Sequence, residues 1–356
     1  MEVWQKVLVD ERFLEDVHNS YNCIGCHGGV AGTQEKKEAH KGIIKNPVDK
    51  CATCHGEIAK TAETSLHKSL QGYITVLKAR GADFSNPNMQ KAYQNHCAYC
   101  HADCTHCHIS RPIFAGGGLI KGHRVKKVIS IQDTCLSCHS ARVGAEYMGL
   151  NEGIPGSVHW EKAGMNCFQC HPVAAFHGDG TQYAHRYDGK PSPSCLDCHP
   201  DVKGGKDGVT HHAIHGDKVD CYVCHVSGPY KSCYNCHVII KEGMPTFKTD
   251  PSKMTFKIGL NPNPTEERPY KYVLLRHIPT VPDTFATYGD NLLPNFNAVP
   301  TWKYATPHNI VRNAPQTKTC NSCHGNEALF LTAKDVAPQE LEANKSVIVQ
   351  EIPKAR

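Results

Sequence analysis

The stretch CAYCHADCTHCH, residues 97–108, holds two copies of Cys-x-x-Cys-His set end to end, with Ala102 and Asp103 alone between them. Eight further copies occur, and together the ten take up all twenty cysteines of the chain. In order they are Cys23/Cys26/His27, Cys51/Cys54/His55, Cys97/Cys100/His101, Cys104/Cys107/His108, Cys135/Cys138/His139, Cys167/Cys170/His171, Cys195/Cys198/His199, Cys221/Cys224/His225, Cys233/Cys236/His237 and Cys320/Cys323/His324. Two thiols three positions apart can each form a thioether to a vinyl group of one porphyrin while the next imidazole binds its iron, so the motif reads as an attachment site for c-type haem. Zinc ribbons and redox Cys-x-x-Cys pairs share the thiol spacing but have no need of the histidine. All ten motifs are therefore read as covalent haem sites, with the ten motif histidines as proximal ligands.

One motif in roughly 36 residues makes the porphyrin faces the main apolar surface to be covered. With Gly 29 and Pro 22, the expectation is a mostly irregular chain with low secondary structure, short α-helices and few strands, wrapped around a row of ten haems. No cysteine remains for a disulfide, a catalytic thiolate or an iron–sulfur cluster. Attachment of c-type haem is completed outside the cytoplasm, so the expected location is periplasmic or extracellular. Met1 to Ser20 carries acidic residues and no apolar core, so no signal peptide is visible in this numbering. No apolar run approaches the roughly 18 residues that span a bilayer.

The formal charge of +5 leaves out the propionates, two per haem, which make the loaded protein net acidic and exclude nucleic acid as a partner. The basic run Lys121, Arg124, Lys126 and Lys127 is accordingly read as a propionate-facing or solvated surface.

Three regions follow from the spacing: residues 1–237 with nine motifs, a haem-free stretch 238–319 that wraps and supplies ligands, and 320–356 with the tenth motif and a tail. Three residue steps reach at most about 10 Å, so the third and fourth sites must be neighbours. The eighth and ninth form a second close pair. Tyr270 to Leu275 reads as a short strand, a helix is expected near Pro338, and Ser346 to Ile352 alternates in part like a strand. That strand could be an edge added to a neighbouring subunit or one paired within its own chain.

Ten of the 24 histidines lie at the ends of motifs, leaving fourteen others. Twelve are assigned as distal iron ligands: His18, His40, His67, His96, His123, His159, His177, His185, His212, His215, His277 and His308. Several precede a motif by 8 to 12 residues, a loose repeat of histidine, loop and motif. His106 sits between the cysteines of its own motif, and only one of the adjacent His211 and His212 is expected to bind, so His106 and His211 are set aside. Supply on this scale implies bis-His, low-spin, low-potential iron. His18, near a chain end, is the candidate to complete a haem in another subunit.

The ten motifs, the spare histidines and the tight 97–108 pair resemble the multihaem c-type cytochromes of anaerobic respiration, above all the extracellular cytochromes that polymerise into conductive filaments. More distantly, segments such as Lys231 to His237 (KSCYNCH) are similar to the octahaem tetrathionate reductase and hydroxylamine oxidoreductase group. The first resemblance implies long-range electron transfer to redox partner proteins or extracellular acceptors, in a homo-oligomer or filament. The second implies a reductase or oxidase of nitrogen or sulfur oxyanions with one open haem. A soluble periplasmic electron shuttle is the third possibility. The Cys-x-x-Cys-Lys variant of pentahaem nitrite reductases is absent, which leans the reading towards a carrier with no catalytic residue.

Overall fold

The computed structural model describes residues 2, 5, 8–98, 101–112, 115–188, 193–278 and 280–355; the side chains of 233–236, 251 and 252 lie outside that description. About 40% of the chain is helical, in short pieces, with a few small antiparallel strands. That is more regular structure than a mostly irregular chain would hold, and the motifs account for much of the excess. Asn22–His27, Cys104–His108, Cys167–Cys170, Cys221–His225 and Cys320–Cys323 are each about one helical turn. A turn of this kind puts residues i and i+3 on one face, which is where two thiols must be to meet one planar ring.

The residue before the first cysteine often starts the turn. Asn22, Asp103, Asn166, Ser194, Asp220 and Thr319 each accept a backbone N–H two or three positions on. Such caps are worth about 1 kcal/mol each and stabilise turns too short to persist alone. The ninth motif is the exception, because it lies in a strand. β1 (Tyr230–Lys241) and β2 (Met244–Met254) form an antiparallel hairpin whose register shifts between Tyr234 and His237. Its tight turn has Glu242 and Gly243 at φ 52° and 77°, the left-handed pair that matches strand twist.

β3 (Phe256–Leu260), β4 (Tyr272–His277) and β5 (Trp302–Tyr304) make a second antiparallel sheet with β4 in the middle. The expected strand at Tyr270–Leu275 is thus present, shifted two residues on. Val273 and Leu275 are fully buried, and Leu274 packs with Val223, Val226, Ile258, Ala305, Phe330 and Val349. Pro338–Glu340 and Leu341–Asn344 supply the helix expected near Pro338. The run Ser346 to Ile352 is a correction. It forms no strand, and Val347, Ile348 and Val349 are buried in their own chain, where Val347 O accepts from Leu260 N and Val349 N donates to Leu331 O. Burial at about 1.5–3 kcal/mol per side chain explains why these three turn inward rather than offer an edge.

The chain divides into two units. The first comprises Met1–Tyr73, Cys97–Ser140 and His171–Ser192; the second comprises Ile74–His96, Ala141–Cys170 and Pro193–Arg356. No helix among the described residues is long and apolar enough to cross a membrane.

Gly259 tests the packing of β3. A Cβ there would meet Val347 O at 2.7 Å and the Leu275 side chain, so Gly259→Ala is expected to cost about 1–3 kcal/mol by overpacking. Gly72→Ala, within the helix Gln71–Ala79 and with open space around its Cα, should instead raise the thermal midpoint slightly. Thermal denaturation of both variants checks the contrast.

Candidate axial-ligand sites

Seven motif histidines face a histidine from elsewhere in the chain. In the first unit the pairs are His18/His55, His27/His123, His67/His139 and His108/His177, with ring centres 6.3, 5.8, 6.2 and 6.2 Å apart. In the second they are His159/His199, His212/His225 and His215/His324, at 6.2, 6.1 and 5.8 Å. Metal–imidazole bonds of about 2 Å on each side, plus about 1 Å from each nitrogen to its ring centre, separate two rings on one metal ion by roughly 6 Å. The spacing fits that requirement in all seven. Among the described residues no three of His, Cys, Asp or Glu gather around one point. Two-imidazole sites suit a metal whose other four donors come from a macrocycle.

The outer contacts of the rings make the same case. His27 Nδ1–H donates to Ile44 O at 2.7 Å, His225 to Val311 O at 3.0 Å, His215 to His211 O at 3.0 Å and His108 to Lys126 O. His18 and His212 turn Nδ1 to carboxylates, Asp16 at 2.8 Å and Asp207 at 2.6 Å. A proton held at Nδ1 leaves the lone pair on Nε2 and fixes the ring, the arrangement usual for metal-ligating histidines. Desolvation of the ring by its neighbours, then the charges of His139 and His171, push the His67 imidazole below its ordinary value, although the residue as a whole is exposed. Burial and then the facing motif ring likewise lower His159 and His177. These rings stay neutral, and a neutral ring is the one that can bind.

Local sequence explains several placements. Asp16 caps the turn Val17–Tyr21 and accepts from His18 N, so the group that starts the turn also orients the ring. His212 and His215 project from one short helix, Thr210–His215, each to a different motif. Gly122, in the basic run, lies against Asp10, where Gly122 O accepts Asp10 N–H and a Cβ would clash with it. This fixes the strap whose Lys126 carbonyl orients His108.

Several motif residues are exposed: Cys23, Cys54, Cys138, Cys170, Cys195, Cys198 and Cys320, with His55, His139 and His199, and so is His185 outside the motifs. The helix Val48–Cys51 stops at the first cysteine of the second motif, leaving Cys54 in the turn that follows, where Cys54 N donates to Cys51 O at 3.3 Å. Pro200 begins a new 3₁₀ turn directly after His199, which stands at its N-cap with φ −120° and ψ 54°.

His18, the candidate for bridging to a second subunit, lies with its ring 6.3 Å from that of His55 in its own chain. Of the adjacent histidines His212 takes the ligand position, while His211 stacks on His215 and gives it a carbonyl. His106 serves the cap of its own turn, its Nδ1 accepting from Asp103 N at 3.3 Å. His96 Nε2 meets the Tyr288 hydroxyl at 2.7 Å, and His277 Nε2 meets Glu340 at 2.9 Å while its ring stacks on Trp302. His308 lies beside Glu146, which accepts its backbone N–H. Among the described residues His40 and His185 face no motif ring, and His101 and His237 have no opposing histidine. Pro279 and Cys100 lie outside the described residues, as do the side chains of Cys233 and Cys236.

Cysteines of different motifs also come together. Cys51 lies near Cys104, and Cys195 near Cys221. Cys26 lies near Cys51 and Cys107 near Cys138 in the first unit; Cys170 lies near Cys195 and Cys198, and Cys224 near Cys323, in the second. None of these contacts is visible in the spacing, which had signalled only the third and fourth and the eighth and ninth sites as neighbours.

What these features define is a class: a chain bearing a series of two-imidazole axial sites, each built from a Cys-x-x-Cys-His turn and a histidine brought from another segment. No family model, no curated protein and no solved structure matches the chain.

Two substitutions test the pairing. His18→Ala should cost the monomer the low-spin EPR signal of one haem, that of His55, where a ligand serving another subunit would leave it intact. Asp207→Asn should weaken His212 as a donor, about 10-fold or more on the precedent of outer-shell partners, and move one redox component to higher potential by spectroelectrochemistry.

Proposed function

We propose that this chain carries c-type haem at its ten motifs and conducts electrons outside the cytoplasm, as the resemblance to multihaem cytochromes of anaerobic respiration implies. The observation that carries the reading is the set of seven histidine pairs at ligand spacing. Haem bound at these sites supplies one-electron iron couples, and neighbouring couples exchange electrons. The chain's own part is to hold and insulate. Paired cysteines anchor one edge of each ring, and facing imidazoles close both axial positions. The carbonyls of Ile44, Lys126 and Val311 and the carboxylates of Asp16 and Asp207 stop the imidazoles from turning away and raise their basicity. Closed axial positions favour a carrier over an enzyme, because a substrate needs an open one.

The cysteine contacts support an order. In the first unit they link motifs one, two, four and five; in the second they link six, seven, eight and ten. Close succession of this kind is what hopping requires.

The reductase reading keeps one supporting observation. His101 has no opposing histidine among the described residues, and the charges of Lys68, Asp103, His106 and Glu63 act on it. These are acid and base groups of the kind an open haem would use.

EPR and optical spectra of the oxidised and reduced protein, with and without cyanide, separate the two. The conduit reading expects covalent haem at every motif, low-spin iron throughout and no response to cyanide. One high-spin, cyanide-binding haem that disappears with Cys97→Ala would establish the reductase reading instead. Absence of covalent haem from the exported protein would end both.

A further inference from the structure

Arg276, Lys303 and Arg80 lie near one another in the second unit, and of the three only Arg80 has a carboxylate, Glu340, acting on it among the described residues. Arg276 of β4 and Lys303 of β5 are direct cross-strand partners, so their side chains leave the same face of the sheet, where like charges oppose each other. Arg276 is 8% exposed, and its buried Nε has no hydrogen-bond partner. Burial, and then the charge of Arg80, hold the Lys303 ammonium down to about 8. Arg80 is 3% exposed and donates to the Phe296 carbonyl. Glu340 acts on Arg80 at a distance, but its Oε2 is already held by His277 and by the Thr301 hydroxyl, each at 2.9 Å. A buried charge left unpaired is strongly unfavourable, and Arg276 set opposite Lys303 calls for an anion.

We propose that Arg276, Lys303 and Arg80 form an internal site for a carboxylate, and that its occupant is a propionate of the haem at the ninth motif. The planar fork of an arginine matches a carboxylate in two parallel hydrogen bonds, and a lysine adds a point charge. The identity of the occupant rests on the haem reading above; the need for an anion does not. Two links lead from the cations to the ninth motif. Phe256, which faces Arg276 from β3, packs edge-on against Tyr230 at 5.7 Å, three residues before Cys233. Ala82, two residues after Arg80, packs in one apolar cluster with Val238, the residue after His237.

The experiment uses the haem-loaded protein with Arg276→Gln and Lys303→Gln, each made also in a Cys233→Ala/Cys236→Ala background, after covalent haem has been counted by mass. Each neutral substitution should lower the midpoint potential of one haem, because losing a nearby cation favours the ferric state. It should also make that midpoint more dependent on pH, as the unpaired propionate takes up a proton. Both effects should vanish in the background without the ninth haem.

If no potential moves, but acetate raises the thermal midpoint of the parent protein and not of the two variants, the carboxylate site stands and its occupant is a free anion, which overturns the propionate. If neither response appears, the site itself is overturned. Should Arg276→Gln fail to fold, Lys303→Gln carries the same readings. A protein without covalent haem would sink the functional reading while leaving the acetate arm a valid test of the site.

Discussion

Two imidazoles held with their centres about 6 Å apart, one or the other often turned by a hydrogen bond at Nδ1, form the constraint around which most of this chain is arranged. An imidazole pair of this kind cannot be made locally, since a Cys-x-x-Cys-His turn supplies only one ring. The other must come from a separate segment and arrive in a fixed orientation. Short capped turns answer this need. They are stiff enough to aim a ring, yet brief enough that the chain can reverse direction before the next site. The glycines and prolines that prevent long helices are what permits so many reversals.

The partners of the rings are mostly backbone carbonyls. Ile44, Lys126 and Val311 contribute through atoms that every residue possesses, and their side chains point to other tasks. Only the carboxylates at Asp16 and Asp207 belong to side chains, and each sits a few residues before the histidine it orients, at a turn that it also helps to start. Folding and ligand orientation are therefore coupled: losing the cap loosens the ring. The second unit adds a different element, a small sheet with a fully buried central strand, and it is there that the uncompensated cations Arg276 and Lys303 are found. Strand register sets them opposite each other, and apolar neighbours keep water away.

The motifs, their number and the chemistry they imply were legible from the cysteines alone, because thioether attachment demands a fixed local spacing that survives any fold. The surplus of histidines was legible for the same reason, as was the choice of one histidine from His211 and His212. The short helices followed from the i, i+3 geometry of the thiols. Misjudged was the tail at Ser346 to Ile352, whose partial alternation reflects burial in its own chain.

The sequence by itself determined the local pattern: ten Cys-x-x-Cys-His motifs and more histidines than the motifs use. Only the tertiary structure decided which imidazole meets which motif. It also decided that His277 turns to Glu340, that Cys51 lies near Cys104, and that Arg276 and Lys303 stand opposite each other on neighbouring strands. The reason is physical. Thioether spacing is a property of four consecutive residues, whereas a ligand pair joins segments up to about a hundred residues apart, such as His215 and His324. Their meeting depends on every turn between them, and no pattern in the intervening residues records the sum.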